Sequence, residues 1–116
     1  MQKNEKQKLV VVWASSDSEV AEKTCLMYTH NASLQWWFDE VVLIVWGPSA
    51  KLLTENNGLQ EKIKKMIDDG VKLEACIACA NMYGVADQLR TLGIEVKGMG
   101  SVLSGYLKDG WKVLTF

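Results

Sequence analysis

The chain is short of several things, and each shortage closes a class of function. It has a single histidine, His30, so no histidine-rich metal site can be assembled within one copy, and because His30 falls at the end of the first helix, remote from the expected site, no Ser-His-Asp arrangement is suggested. Its formal net charge is −1, which leaves no polybasic footprint for nucleic acid. The longest apolar run, Val41 to Trp46, is far below the roughly 20 residues that a membrane span needs. Residues Met1 to Lys8 are polar and lack the apolar segment of a signal peptide, so a cytoplasmic protein is expected. Neither G-x-x-x-x-G-K nor G-x-G-x-x-G occurs, and Gly98-x-Gly100-Ser101 is too short to replace them, so no nucleotide or flavin cofactor is expected. Proline occurs once, at Pro48. Cysteine occurs three times, an odd count that does not suggest a disulfide scaffold.

What remains is a chain of 116 residues, nearly half apolar, long enough to bury a core without disulfide or metal support. Residues 1–7 read as a tail and 8–116 as one domain. Leu9 to Ala14 and Val41 to Trp46 are near-continuous apolar runs, the pattern of parallel strands buried on both faces. Between them, Ser16 with Glu19 fits a capping box, and a helix runs to about Ala32. Its buried stripe is expected at Val20, Thr24, Met27 and Tyr28, with Ala21, Cys25 and Asn31 beside it. Pro48 suits the first turn of a short helix ending at Glu55. After Asn56-Asn57-Gly58, a third helix covers Leu59 to Asp69, with Gly70 closing it. A strand from Val71 to Cys76 follows. A fourth helix is expected over Ala80 to Leu92, with Gly84 inside it at a point of close packing. Then come a strand at Ile94 to Lys97, a loop at Gly98-Met99-Gly100-Ser101, a short helix over Val102 to Lys108 and a last strand from Trp111 to Phe116. Strands alternate with helices, so the class is α/β: a three-layer α/β/α domain around a mostly parallel five-stranded sheet.

In such sheets the site lies beyond the carboxyl ends of the strands. Four junctions meet there: Ser15-Ser16-Asp17, Gly47-Pro48-Ser49, Cys76 to Cys79 with Ala78, Ala80 and Asn81, and Met99-Gly100-Ser101. The third carries the chemistry. Cys76 falls near a strand end and Cys79 in the first turn of the next helix, where unpaired N–H groups and the helix dipole favour a thiolate. The thiolate is the nucleophile, so Cys76 and Cys79 are the candidate catalytic residues; the bland alternative is that both are core, as cysteines often are. Cys25 is expected to be a buried hydrophobe and His30 a surface or interface residue.

The motif C-I-A-C-A-N-M-Y-G-V, with V-V-L-I-V-W-G-P-S-A-K-L-L and the Ser-rich opening of the first helix, resembles the DsrE/DsrF family, which includes the TusD sulfur-relay subunits. Cys76 with Gly84-Val85 matches that family's spacing. The resemblance implies a flavodoxin-like fold, a homo-trimer or hexamer, sulfur donor and acceptor proteins, and a persulfide carried on Cys76, with Cys79 matching a second cysteine found in some members.

Three rivals stand beside a sulfurtransferase-type carrier. Cys76 and Cys79 can cycle as a dithiol–disulfide pair. They can supply two ligands to a metal shared across subunits, though no full ligand set is apparent in one chain. Or the protein is a non-catalytic oligomeric binding module, with Trp36, Trp37, Met82 and Tyr83 as interface residues.

Overall fold

A computed structural model of the chain describes residues 5–116. The element order is β1 (Lys8–Trp13), α1 (Ser18–Val20), a π-helical segment (Ala21–Cys25), α2 (Leu26–Leu34), β2 (Glu40–Val45), α3 (Pro48–Glu55), α4 (Asn57–Asp68), β3 (Lys72–Cys76), α5 (Ile77–Tyr83), α6 (Ala86–Thr91), β4 (Glu95–Lys97), α7 (Met99–Lys108) and β5 (Lys112–Thr115). The five strands form one sheet in the order β4-β3-β2-β1-β5, and every pairing is parallel. This is the expected α/β class. The tail expected over 1–7 lies, for its first four residues, outside the described residues. Gln7 is pinned: its N–H donates to Asp39 Oδ2 at 2.7 Å, and its carbonyl accepts from Asp39 N–H at 2.7 Å.

The winding explains how the layers are filled. From β1 to β4 each strand is added on the same side of its predecessor. Right-handed crossovers then place α1 to α6 on one face of the sheet. Only the return from β4 to β5, which lands beside β1, crosses the other face, and it brings α7 alone. The larger core is accordingly on the helix-rich face, where Leu9, Val11, Trp13, Leu43, Val45, Leu73 and Ala75 pack against Cys25, Leu26, Leu53, Ile63, Met66 and Leu89. Each of the Val, Leu, Ile and Met side chains among them contributes about 1.5–3 kcal/mol by leaving water. The opposite face buries a smaller set, Val10, Val12, Val42, Ile44, Cys76 and Met99, under Val102, Leu103 and Tyr106.

Several local expectations are corrected. The first helix is capped by Asp17, not Ser16: Asp17 Oδ1 accepts from the N–H groups of Glu19 and Val20 at 2.8 and 3.1 Å, while Ser15 Oγ accepts from Asp17 N–H. The wide π turn at Ala21–Cys25 advances the phase of the helix. The buried residues are therefore Ala21, Cys25, Leu26, Thr29, His30 and Ala32, while Thr24 and Met27 of the expected stripe face solvent. His30 is thus buried rather than at the surface, with Nε2 2.7 Å from Asp69 Oδ2.

Asn56 alone separates α3 from α4. Its side chain caps α4 by accepting from Leu59 N–H, so Asn57 and Gly58 are helical. The helix expected across Gly84 is two helices. Gly84 ends α5 at φ 69°, and open space surrounds the position where a Cβ would stand, so it serves left-handed backbone rather than close packing. Met99, Gly100 and Ser101 are not a loop but the first turn of α7.

Candidate functional site

β3 delivers Cys76 as its last residue, in extended conformation (φ −76°, ψ 119°), and the chain turns at once into α5. Cys76 is buried and Cys79 half-buried; both are free thiols. The two are not equivalent. Burial pushes the Cys76 thiol up, but the backbone N–H of Cys79, the Cys79 thiol and the backbone N–H groups of Ala78 and Met99 favour its thiolate, and together they hold it below the ordinary cysteine range. Burial also raises Cys79. The N–H of Gly47 opposes that, yet the S–H that Cys79 gives to Cys76 and the negative charge developing there keep it above the ordinary range. Cys76 is therefore the sulfur that ionises first, and Cys79 stays protonated as its donor.

Three strand–helix junctions supply these groups. Ala78 and Cys79 follow β3, Met99 follows β4, and Gly47 follows β2. Gly47 has φ 70° and ψ −137°, backbone that suits glycine, and its N–H is the group that opposes the rise at Cys79. The structure thus gathers Gly47, Cys76, Ala78, Cys79 and Met99 around the thiols.

The remaining expected lining residues have other partners. Ser15 and Asp17 serve the helix start after β1, two strands or roughly 10 Å from β3, and Ser16 is exposed beside them. Ser49 is buried, its hydroxyl donating to the Trp13 carbonyl and accepting from Trp46 N–H, so it ties the ends of β1 and β2 together. Pro48 opens α3, and Ala80 packs into the helix-rich core. Asn81, Gly100 and Ser101 are exposed. Trp36, Trp37, Met82 and Tyr83 are all exposed, whereas the neighbouring Phe38 is partly buried against the helix-rich core. Cys25 is inert, its thiol pushed by burial up to about 12.

A group that the sequence reading passed over lies on the same face as Cys76. Glu74 is fully buried. Its Oε1 accepts from the Tyr106 hydroxyl at 2.7 Å, and its Oε2 lies 2.7 Å from Lys97 Nζ and 3.4 Å from Lys72 Nζ. Burial pushes this carboxyl up, but Lys97, the Tyr106 hydroxyl and Lys72 more than offset it and hold it below the usual carboxylate range. Strand period two would have found the cluster: Lys72 and Glu74 share their parity with Cys76, while Leu73 and Ala75 alternate with them. Among the described residues, no group of three or more His, Cys, Asp or Glu side chains is arranged to hold a metal ion. Nor is any described helix long and apolar enough to cross a membrane.

A family model for the DsrE/DsrF-like family matches residues 6–116. Among solved structures, the chain is similar to BT1422, a conserved protein of unknown function from Bacteroides thetaiotaomicron, with 34% identity over 95% of each chain and a TM-score of 0.91. It also shares its fold with the ychN protein of E. coli, at 20% identity over 95% of this chain and 99% of that one, with a TM-score of 0.74. No curated protein matches the chain.

Proposed function

This chain belongs to the DsrE/DsrF-like family, and from that premise we propose that it is a cytoplasmic sulfur carrier holding a persulfide on Cys76. The observation that supports this reading is the convergence of N–H groups from α5 and α7, with the Cys79 thiol, on one buried sulfur. Those donors stabilise negative charge on that sulfur, which is what sulfur transfer demands of a carrier.

The Cys76 thiolate attacks the outer sulfur of a donor persulfide, R–S–SH. A new S–S bond forms at Cys76, the donor S–S bond breaks, and its electron pair leaves on R–S⁻. Transfer onward is the same step in reverse: an acceptor thiolate takes the outer sulfur and Cys76 departs as thiolate. The hydrogen bond from Cys79 to Cys76 favours a second exit. Cys79, once deprotonated, attacks the Cys76 sulfur, forms the Cys76–Cys79 disulfide and expels HS⁻. Donor and acceptor proteins are the implied partners. The exposed Trp36, Trp37, Met82 and Tyr83 are the proposed contacts of a homo-oligomer.

Intact-protein mass spectrometry after incubation with a small-molecule persulfide donor tests the reading. A gain of about 32 Da per sulfur is expected in wild type and Cys79→Ser and absent in Cys76→Ser. Uptake in Cys76→Ser would overturn the assignment of the carrier sulfur. Loss of two hydrogens without sulfur gain would favour a dithiol–disulfide protein.

A further inference from the structure

The buried Glu74 calls for an explanation, because a carboxylate in an apolar sheet face costs several kcal/mol of desolvation before its partners respond. Its cation, Lys97, comes from the last residue of β4. In the β3–β4 register Lys97 stands directly opposite Cys76. Opposed residues of neighbouring strands point to the same face about 4.8 Å apart, and Glu74, two residues before Cys76, points there too, roughly 7 Å along the strand. Thiol, cation and carboxylate therefore occupy one small patch of sheet.

The Glu74–Lys97 contact is close but poorly directed. At 2.7 Å, Lys97 Nζ approaches Oε2 outside the directions of a hydrogen bond, so this buried oxygen is ion-paired without being hydrogen-bonded. The other oxygen is fixed by Tyr106, which makes the carboxylate the stationary partner. Lys97 is the adjustable one. Its side chain is 30% exposed and also reaches Glu95 Oε1 at 3.2 Å.

We propose that Lys97 is the positioning cation of the sulfur site. Glu74, anchored by Tyr106, holds it beside Cys76, and its charge is shared between Glu74 and the sulfur as negative charge builds and leaves there. The inference deepens the carrier reading and rests on it for its purpose. In the transfer step, charge passes from the Cys76 sulfur to the departing donor thiolate and returns when the sulfur is handed on. A cation paired to a fixed carboxylate one strand away compensates that charge without trapping the thiolate in a form too stabilised to attack, since nucleophilicity falls with thiol basicity.

The test is the pH dependence of Cys76 alkylation by iodoacetamide, followed residue by residue by mass spectrometry. The titratable groups on the sheet face that carries Cys76 are Cys79 on α5, Glu74 and Lys72 on β3, Lys97 and Glu95 on β4, Tyr106 on α7 and, paired with each other at the far ends of their strands, Glu40 on β2 and Lys8 on β1; between them β2 presents Val42 and Ile44. Lys97→Gln leaves the carboxylate with only the more distant Lys72 as its cation and is expected to move the profile up by about one pH unit, a tenfold loss of thiolate on the lower limb. Glu74→Gln keeps an acceptor for Tyr106 but releases the cation to the sulfur, and is expected to move the profile down by a similar amount. Lys97→Arg is expected to stay near wild type.

Opposite signs separate a charge effect from structural damage. An unmoved profile in Lys97→Gln, or shifts of the same sign in Lys97→Gln and Glu74→Gln, would overturn the proposal. If Glu74→Gln does not fold, Lys97→Gln against Lys97→Arg decides. Sulfur uptake by the wild type is scored separately: its failure sinks the carrier reading, while the alkylation profile still decides the place of Lys97.

Discussion

The two faces of the sheet are built on opposite terms. One is covered by all the helices from α1 to α6 and buries an almost wholly apolar core. The other is covered by α7 alone, buries far fewer side chains and carries Cys76, Glu74, Lys97 and Tyr106. The first face holds the fold; the second holds the Cys76 thiol. Polar groups are tolerated on the second because a single helix leaves part of the sheet within reach of solvent, where Lys72 and Lys97 keep their ammonium groups half out. A reactive residue set into the first face would be as inert as Cys25.

Substitutions on each face break the comparison most sharply where the core is deepest. Ile63→Ala on α4 removes a fully buried side chain from the helix-rich face. It is expected to cost about 2–5 kcal/mol in denaturant unfolding while leaving the Cys76 alkylation rate unchanged wherever the protein remains folded. A slowed thiol would mean that the faces are not independent.

The next largest effect belongs to Ser49→Ala. It removes two hydrogen bonds, one from the Trp46 N–H and one to the Trp13 carbonyl, leaving those two groups only their 3.0 Å bond to each other, and is expected to cost about 1–3 kcal/mol. Unfolding that matched wild type would show that the junction between β1 and β2 needs no such tie.

Tyr106→Phe probes the thin face and is expected to cost about 1–3 kcal/mol, since it strips a hydrogen bond from a buried carboxylate. Its pH signature is specific. Glu74 is held below its unfolded value, so its contribution is present above about pH 4.3 and is lost as pH falls through the lower folded value. Burial, and then the Glu74 carboxylate, raise Tyr106, so its contribution is present below about pH 10 and is lost as pH rises. Stability measured from pH 3 to 11 (about eight units, spanning both limbs) is expected to show a weaker alkaline decline in Tyr106→Phe, the remainder coming from the buried Cys25 thiol, and a weaker acid one. A stability difference independent of pH would refute the ionic account.

The smallest effect is at the surface between the faces. Trp36 is 76% exposed and has φ 56°, left-handed backbone that a side chain resists. Trp36→Gly is expected to be neutral or stabilising by about 1 kcal/mol or less in the isolated chain. A clear loss of stability would show that the indole has an intramolecular role.

How much of this was legible in the sequence depends on how local each signal was. The strands were, because β1 and β2 are continuous apolar runs and only parallel sheets bury such runs on both sides. The thiol pair was, because Cys76 and Cys79 straddle one strand–helix junction. Met99 and Gly47 were placed on the right rim, but which sulfur each N–H serves follows from strand order, and order is a long-range property. The π turn was hidden because Ala21–Cys25 contains no glycine or proline to mark it; its effect was to turn Met27 outward and His30 inward. Glu74 was readable in principle, by its parity with Cys76, but its partners Tyr106 and Lys97 lie 32 and 23 residues further on.

The strand order also carries a consequence for the timing of folding. Every pairing is parallel, so no hairpin can nucleate the sheet: even β1 and β2 join Lys8 to Glu40, and β5 reaches β1 only by joining Leu9 to Lys112. Contacts this distant pay their loop-closure entropy before they return anything, which makes such sheets slow to complete. The helix-rich face can be laid down in chain order, unit by unit, from β1 to β4. The helix whose first N–H completes the cradle of Cys76 comes after all of them. The Cys79 and Ala78 donors come with the chain beside Cys76, but the Met99 N–H arrives only with α7, so the set of donors around the thiol is completed last, on a scaffold already formed.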